Sequence, residues 1–227
     1  IAIIAILASL LLPSLQLAKE SAKGTVCANQ LRQCNMLCSS YEADYNNWPP
    51  TAKSGYFWPN LLYRQGYITM KQTDIYICPS AVDYFRTGTW QPPTLGNTWW
   101  SIHYGMNLFF GGDSGLLGNP TPPYGITRRE PCTSPSQTVF LADSAKAETL
   151  CMSVPGVPDT PLVGVSTLSR SKNALGFPYM IMSRHNGSAE IIFCDGHVSQ
   201  EHDAINNFQY LPSEPNPGKY FDPKFRY

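Results

Sequence analysis

The chain opens with IAIIAILASLLLPSLQLAK, residues 1–19, in which the first charged side chain is Lys19. Such a run predicts a helix that is apolar enough to enter a membrane. Crossing a hydrocarbon core takes about 20 apolar residues, and Pro13 interrupts this run. The run alone is therefore short for a membrane span, and its meaning depends on the residues that follow it.

Beyond Lys19 the helical pattern continues as a stripe of side chains spaced 4, 3, 4, 3 and 4 residues apart. The stripe consists of Cys27, Leu31, Cys34, Cys38, Tyr41 and Tyr45. At 100° per residue these side chains fall within about 80° of one another, on one helix face. The stripe predicts that this part of the helix lies on a globular body. Asn46, Asn47 and Pro49–Pro50 predict its end.

We therefore expect one helix over residues 1–46, roughly 65 Å long at 1.5 Å per residue. It divides into an apolar half, residues 1–18, and an amphipathic half, residues 19–46. The apolar half is either a membrane anchor or an assembly element that is buried in lipid first and against copies of itself later. A proline inside a helix removes a backbone hydrogen bond and favours the second interpretation. The candidate assembly residues are Ile1, Ile3, Ile4, Ile6, Leu7, Leu10, Leu11, Leu12 and Pro13.

A second informative stretch lies near the other end, at SRHNGSAEIIFCDGHVSQ. Residues 189–194 form a short apolar run, and Asp195–Gly196 is the dipeptide preferred in a two-residue type I′ turn. The pattern predicts a β-hairpin within residues 185–200, with His185, Asp195, Gly196 and His197 as structural residues. Asp and Gly tolerate positive φ angles, which accounts for them without any chemistry.

Both ends of the chain resemble one group of bacterial proteins. Residues 1–23 resemble the interior of the prepilin-type amino-terminal segment of type IV pilins and type II secretion pseudopilins. His185, nine intervening residues and Asp195–Gly196 fit the H-X9-DG pattern of a large group of prepilin-type proteins. Shorter pieces that resemble the same group are WPNLLYRQGYI, DIYICPS, HYGMN and SPSQTVFLADS.

The resemblance implies an α+β, pilin-like fold, in which a long amino-terminal helix packs on an antiparallel sheet with extended loop insertions. The globular body would cover residues 47–227. In that family the mature chain starts with an N-methylated residue, followed closely by a Glu. Neither precedes Ile1 here, so we expect the printed sequence to begin several residues after the processing site.

The function implied is structural, a subunit of an extracellular type IV pilus-like filament at the bacterial cell surface. Its partners would be identical subunits, the inner membrane before assembly, a prepilin peptidase and the assembly machinery. One alternative is a type II secretion pseudopilin. Another is a minor pilin that binds surfaces or glycans, for which Trp90, Trp99, Trp100 and Tyr104 are candidate contact residues.

Composition and motifs do not favour an enzyme or a nucleic-acid-binding protein. Sixteen Lys plus Arg balance 16 Asp plus Glu, so no basic field is available for nucleic acid. Neither GxSxG nor a Cys–Gly–Ser–Cys–Trp signature occurs, and we expect no catalytic residues. We also expect no cofactor, with calcium at Gly111–Gly115 and Asn119 as the alternative.

Two further groups of residues bear on metals and disulfides. Five side chains near the hairpin could bind a metal: His185, Asp195, His197, His202 and Asp203. No spacing such as HExxH fixes a geometry for them, and we expect a hydrogen-bonded hairpin instead.

Seven cysteines beside a membrane-export segment suggest at least one disulfide. Cys27 with Cys78 is our first candidate, and Cys132, Cys151 and Cys194 are other candidate partners. We therefore expect a filament that resists chelators and is sensitive to reductants.

Overall fold

The structure is a computed structural model, and we describe the residues whose placement is defined. These are residues 2–50, 52–53, 56–80, 102–107, 132–146, 167–168 and 179–202, with residues 204 and 208. The helical elements are α1 (Ala2–Tyr45), α2 (Trp58–Arg64) and a 3-10 helix, η1 (Met70–Tyr76). The strands are β1 (Ala52–Lys53), β2 (Tyr56–Phe57), β3 (Tyr104–Asn107), β4 (Val139–Lys146), β5 (Thr167–Leu168), β6 (Tyr179–Ile181), β7 (Ser188–Phe193) and β8 (Val198–His202).

The long amino-terminal helix is confirmed. Helix α1 continues through Pro13 and ends at Tyr45, one residue before the predicted boundary. Asn46 follows with φ of 55°, in the left-handed region that ends helices. The predicted stripe is buried over most of its length, since Cys27, Leu31, Cys34 and Cys38 are all fully buried. The amphipathic half therefore lies on the body, as the spacing predicted.

The last stripe residue is an exception. Tyr41 is half-buried and packs against the core, but Tyr45 is 45% exposed, so its predicted burial is wrong. Its ring stacks on Tyr41 with centroids 4.4 Å apart, and its hydroxyl donates to Gln65 Oε1 at 2.7 Å. A tyrosine can cover apolar surface with its ring while its hydroxyl stays at the surface, which is the arrangement here.

The body contains a sheet with strand order β5-β3-β4-β7-β8, and β6 pairs with the part of β4 that β7 does not reach. The four strands β3, β4, β7 and β8 are antiparallel, which confirms the α+β class. The short strand β5 departs from the prediction because it pairs in parallel with β3. A two-stranded sheet of β1 and β2 lies apart from this one.

Side chains on the two faces of the sheet belong to two separate apolar clusters. One cluster includes Tyr104, Met106, Leu141 and Ile192 together with the buried stripe of α1. The other includes Val139, Ala142, Ile191 and Phe193. Alternate residues of a strand point to opposite faces, so the face beneath α1 also receives Asp143 of β4 and Glu190 of β7. The main core and the buried charges thus lie between the helix and the sheet.

The carboxy-terminal hairpin is confirmed, but its predicted turn type is wrong. Strands β7 and β8 pair in antiparallel register from Ser188 with His202 to Ile192 with Val198. Gly196 has φ of 90°, and its N–H donates to Phe193 O at 2.9 Å. Asp195 lacks the positive φ that a type I′ turn requires. The connection is instead a turn closed by a left-handed glycine.

The side chain of Asp195 explains this geometry. Its Oδ1 accepts the backbone N–H of His197 at 3.1 Å and lies 2.6 Å from His197 Nδ1. Short polar side chains that bond the backbone two residues on stabilise such turns. Asp195, Gly196 and His197 therefore act together as structural residues of the hairpin, at the surface of the body.

We expect Gly196→Val to lower the free energy of unfolding by about 1–2 kcal/mol, because a β-carbon is strained at this φ. That carbon would also lie 3.3 Å from Asn35 Nδ2 on α1. Gln200→Val is the matched control, since Gln200 is exposed in β8 and β-branched residues suit strands. Urea denaturation of both variants measures the difference. Equal stability of Gly196→Val and the unaltered protein would contradict the assigned turn.

Candidate functional site

The apolar half of α1 is a large exposed surface. Its big side chains are between 54% and 74% exposed: Ile3, Ile4, Ile6, Leu7, Leu10, Leu11, Leu12, Leu15 and Leu17. Within the described residues, α1 is the one helix long and apolar enough to cross a membrane, and its most apolar window is not covered by the rest of the chain. The predicted assembly residues that the structure describes thus share one uncovered surface; Ile1 lies outside the described residues.

The amphipathic half of α1 approaches the sheet closely where Gly24 meets it. Gly24 is buried, and a β-carbon there would lie 3.4 Å from Glu190 Oε1 and from His185 Cβ and Cγ. Side chains larger than methyl would therefore push the helix away from β7. Gly24 brings α1 near enough for Cys27, one turn further along, to reach polar groups on the sheet.

Four buried metal-ligand side chains meet beneath this part of the helix. They are Cys27 of α1, Cys78 after η1, Asp143 of β4, and His185 between β6 and β7. One potential ligand atom from each lies within 4.8 Å of all the others. We call these four residues the Cys27 cluster. It joins the helix to three separate segments of the body.

Three pairs of groups in the Cys27 cluster lie 3.3–3.5 Å apart. Cys27 Sγ lies 3.3 and 3.4 Å from the two oxygens of Asp143, and Cys78 Sγ lies 3.4 Å from His185 Nε2. His185 Nε2 lies 3.5 Å from Asp143 Oδ2, well beyond the 2.7–2.9 Å typical of a charge-assisted hydrogen bond. The four groups therefore converge on a common centre instead of pairing off.

Asp143 is held by groups outside the cluster. Arg184 Nη1 donates to its Oδ1 at 3.2 Å, and the backbone N–H of Glu190 donates to its Oδ2 at 3.2 Å. Arg184 also donates to the backbone oxygens of His103 and Ser144. Since the Arg184 side chain is 8% exposed and Asp143 is fully buried, the pair is an ion pair inside the body.

The second ring nitrogen of His185 is also occupied. Ser80 Oγ lies 3.2 Å from His185 Nδ1 and donates its own proton to Glu20 Oε2 at 2.7 Å. Because Ser80 uses its proton on Glu20, its oxygen accepts from Nδ1–H. Hydrogen bonds from Lys23 and Ser80 lower the pKa of Glu20, so the carboxylate at the end of this relay is charged. Burial lowers the pKa of His185, but hydrogen bonds within the cluster raise it to about 10, so a proton on Nε2 faces the cluster.

The two thiols of the cluster differ. Contact with Cys27 lowers the pKa of Cys78 to about 6, whereas burial and the same contact raise the pKa of Cys27. The backbone of Cys78 is fixed by its N–H, which donates to His103 Nδ1 at 2.9 Å. The Tyr104 hydroxyl lies 3.1 Å from Cys27 Sγ and donates its proton to Gln30 Oε1 at 2.7 Å. Cys78 is therefore the thiol that ionises first.

A second carboxyl near the cluster is the side chain of Glu190. Burial, followed by the charge of Asp143, raises the pKa of Glu190 to about 7. Glu190 is only 4% exposed, so its neutral form avoids placing a further negative charge beside Asp143. The helix-facing side of the sheet thus carries two acidic side chains, Asp143 and Glu190, close to each other.

The geometry does not match that of a Cys-His-Asp catalytic triad. In a triad the nucleophile and the carboxylate face different ring nitrogens, so that the imidazole relays a proton between them. Here Cys78 and Asp143 both face Nε2 of His185, while Nδ1 faces Ser80. The arrangement is better suited to holding a cation at its centre than to activating a nucleophile.

The structure separates the metal-ligand residues that lie near one another in the sequence. Asp195 and His197 pair with each other in the hairpin, and His202 Nδ1 lies 2.8 Å from Ser188 Oγ. His185 alone of this group joins the Cys27 cluster. Asp203 lies outside the described residues, as do the candidate calcium loop and its Asn119.

The disulfide predicted between Cys27 and Cys78 is not formed in this structure. The two residues are brought together as predicted, but both are free thiols. Each sulfur instead faces a polar group, Asp143 for Cys27 and His185 for Cys78. The other described cysteines, Cys34, Cys38, Cys132 and Cys194, are buried, and none of these four forms a disulfide. Cys151 lies outside the described residues.

Sequence reasoning gave no role to Asp143, the central acceptor of the cluster. It lies in the apolar run TVFLADS, and an acidic residue in a strand that should be buried is the sequence feature that indicates a buried polar site.

The predicted aromatic contact surface is not supported at Tyr104. Tyr104 is fully buried, so it cannot contribute to such a surface, and Trp90, Trp99 and Trp100 lie outside the described residues.

Comparison of the chain with known proteins gave no match to a family model, to a curated protein or to a solved structure.

Proposed function

We propose that the protein is a structural subunit of a type IV pilus-like filament, polymerised through the apolar half of α1. The observation that carries the proposal is the exposure of nine large apolar side chains on one continuous helix, whose amphipathic half is anchored on the body. Contiguous apolar surfaces of this size mark sites that enter a membrane or contact other proteins. An assembling subunit uses the same surface for both.

The division of α1 supports assembly over simple anchoring. An anchor needs an apolar helix but no fixed relation to a folded body, whereas a filament subunit needs a rigid one. Here α1 is continuous from Ala2 to Tyr45, and its amphipathic half packs on β7, η1, α2 and β4. The body thus sets the direction in which the apolar half projects. Copies of the chain that pack these halves together would place their bodies outside.

The resemblance of both chain ends to prepilin-type proteins supports the same proposal. Before assembly the subunit would be held in the inner membrane by α1, and it would then be extracted into an extracellular filament. A secretion pseudopilin would use the same helix and differ in filament length and partners. The measurement that separates these two is the length and abundance of the filaments that cells produce.

We expect Leu7→Glu to reduce assembled filaments at least about tenfold, since a charge placed in the apolar helix core costs roughly 2.5–3.5 kcal/mol per subunit. Leu7 is 54% exposed, so the substitution leaves the body intact. Leu7→Met is the matched control, because it keeps the position apolar. Sheared filaments are measured relative to subunit in the membrane fraction. Normal filament yield from Leu7→Glu would contradict the proposal.

A further inference from the structure

We propose that the Cys27 cluster binds one zinc ion through Cys27, Cys78, Asp143 and His185, and that the metal joins α1 to the body. The four side chains come from four segments and present two sulfurs, an imidazole nitrogen and a carboxylate oxygen. Thiolate and imidazole ligands in a four-coordinate arrangement select zinc among the common divalent ions. The site is independent of the proposed filament function.

The distances fit a tetrahedral ion. Zinc binds sulfur at about 2.3 Å and nitrogen or oxygen at about 2.0–2.2 Å, so neighbouring ligand atoms around it lie roughly 3.4–3.8 Å apart. Three of the six pairs of groups lie 3.3 to 3.5 Å apart, and all six pairs lie within 4.8 Å. Small side-chain movements would bring the four groups to coordination distance.

The surroundings match those of metal-bound ligands. A ligating histidine usually gives its second N–H to another acceptor, and His185 Nδ1 faces Ser80, which is bonded to Glu20. A ligating carboxylate is usually hydrogen-bonded as well, and Asp143 receives Arg184 and the N–H of Glu190. The Tyr104 hydroxyl lies 3.1 Å from Cys27 Sγ. The histidine and the aspartate thus each have a partner that orients them.

The charges also balance. Two thiolates and one carboxylate carry three negative charges, and zinc with the guanidinium of Arg184 carries three positive ones. Ion pairs of Asp143 with Arg184 and His185 account for the aspartate and the imidazole, but not for two thiols held within 4.8 Å of them. Buried charges persist when they are paired or coordinate a metal. Zinc accounts for all four groups.

The first test is metal content of the full chain, purified in detergent under reducing conditions. We expect about one zinc per chain by mass spectrometry of the elements. The zinc content of Cys27→Ser should be at least about tenfold lower, because a structural zinc site needs all of its ligands together. Cys34→Ser is the matched control, because Cys34 is equally buried on the same stripe but is not in the cluster.

A second measurement on the unaltered chain covers the case in which Cys27→Ser fails to fold. Co²⁺ added to the metal-free chain should give the strong visible bands of a tetrahedral ion and near-ultraviolet charge-transfer bands from thiolates. Chelation of the native metal should lower the unfolding midpoint by about 5–10 °C. This expectation reverses the chelator resistance predicted from the sequence.

Three results would each contradict the zinc site. The proposal is overturned if the reduced chain retains no zinc and gives no thiolate bands with Co²⁺. It is also overturned if Cys34→Ser loses as much metal as Cys27→Ser, or if peptide mapping of the purified native chain finds Cys27 and Cys78 in one disulfide.

Discussion

We expect a chain that starts at Lys19 to be soluble and to form no filaments under conditions in which we expect the full chain to form them. Removal of residues 1–18 takes away all nine exposed apolar side chains of the apolar half. Each of them would gain about 1.5–3 kcal/mol on full burial against other subunits, so most of the drive for assembly is lost. Filaments of native diameter from the shortened chain would contradict the helix-core arrangement.

The shortened chain also has a control for folding. The amphipathic half of α1 keeps its contacts, because Cys27, Leu31 and Cys34 are buried against the body. Trp48 and Trp58 lie in the same core, and Trp48 packs edge-on against Phe140 with ring centroids 3.8 Å apart. Tryptophan fluorescence should therefore report the same folded body with and without residues 1–18. Loss of assembly would then be attributable to the apolar half.

Asp143→Ala is expected to lower the free energy of unfolding of the body by about 3–5 kcal/mol. It would leave the buried guanidinium of Arg184 without its carboxylate, and removing one partner of a buried ion pair carries that cost. It would also remove the acceptor for the N–H of Glu190. Urea denaturation of the chain that starts at Lys19 gives the value.

Asp74→Ala is the control for this substitution, since Asp74 is an exposed aspartate in η1 and surface changes usually stay within about 0.5 kcal/mol. Pairing Asp143→Leu with Arg184→Met removes both charges together and should recover part of the loss. A loss below 1 kcal/mol for Asp143→Ala would show that the buried pair does not stabilise the fold.

The long helix and the hairpin were predictable because each depends on local spacing. A 3.6-residue period gave the buried stripe from Cys27 to Cys38, and turn residues bounded both elements. The type I′ turn that was predicted at Asp195–Gly196 occurs elsewhere in the same segment. Asn186 and Gly187 have φ of 51° and 79°, so the two-residue turn with both angles positive lies there, immediately after His185. The Asn186–Gly187 dipeptide is the sequence signal for that turn.

The Cys27 cluster was only partly predictable, because its members are distant in sequence. Cys27 and Asp143 are separated by 116 residues, and Cys78 and His185 by 107. The sequence suggested Cys27 with Cys78 as a pair and His185 as a hairpin residue, but no spacing linked them to Asp143. Their meeting depends on Gly24 bringing α1 close to β7 and on the break between β6 and β7 placing His185 over β4. Both are tertiary effects.

The measurement that tests the proposed function most directly is electron cryomicroscopy of material sheared from cells that express the full chain. We expect thin filaments in which residues 2–18 of neighbouring subunits pack along the axis and the bodies form the outer surface. Filaments held together by the bodies alone, with the apolar half outside the core, would contradict it. So would abundant subunit in the membrane fraction without any filaments under conditions in which the assembly machinery is present.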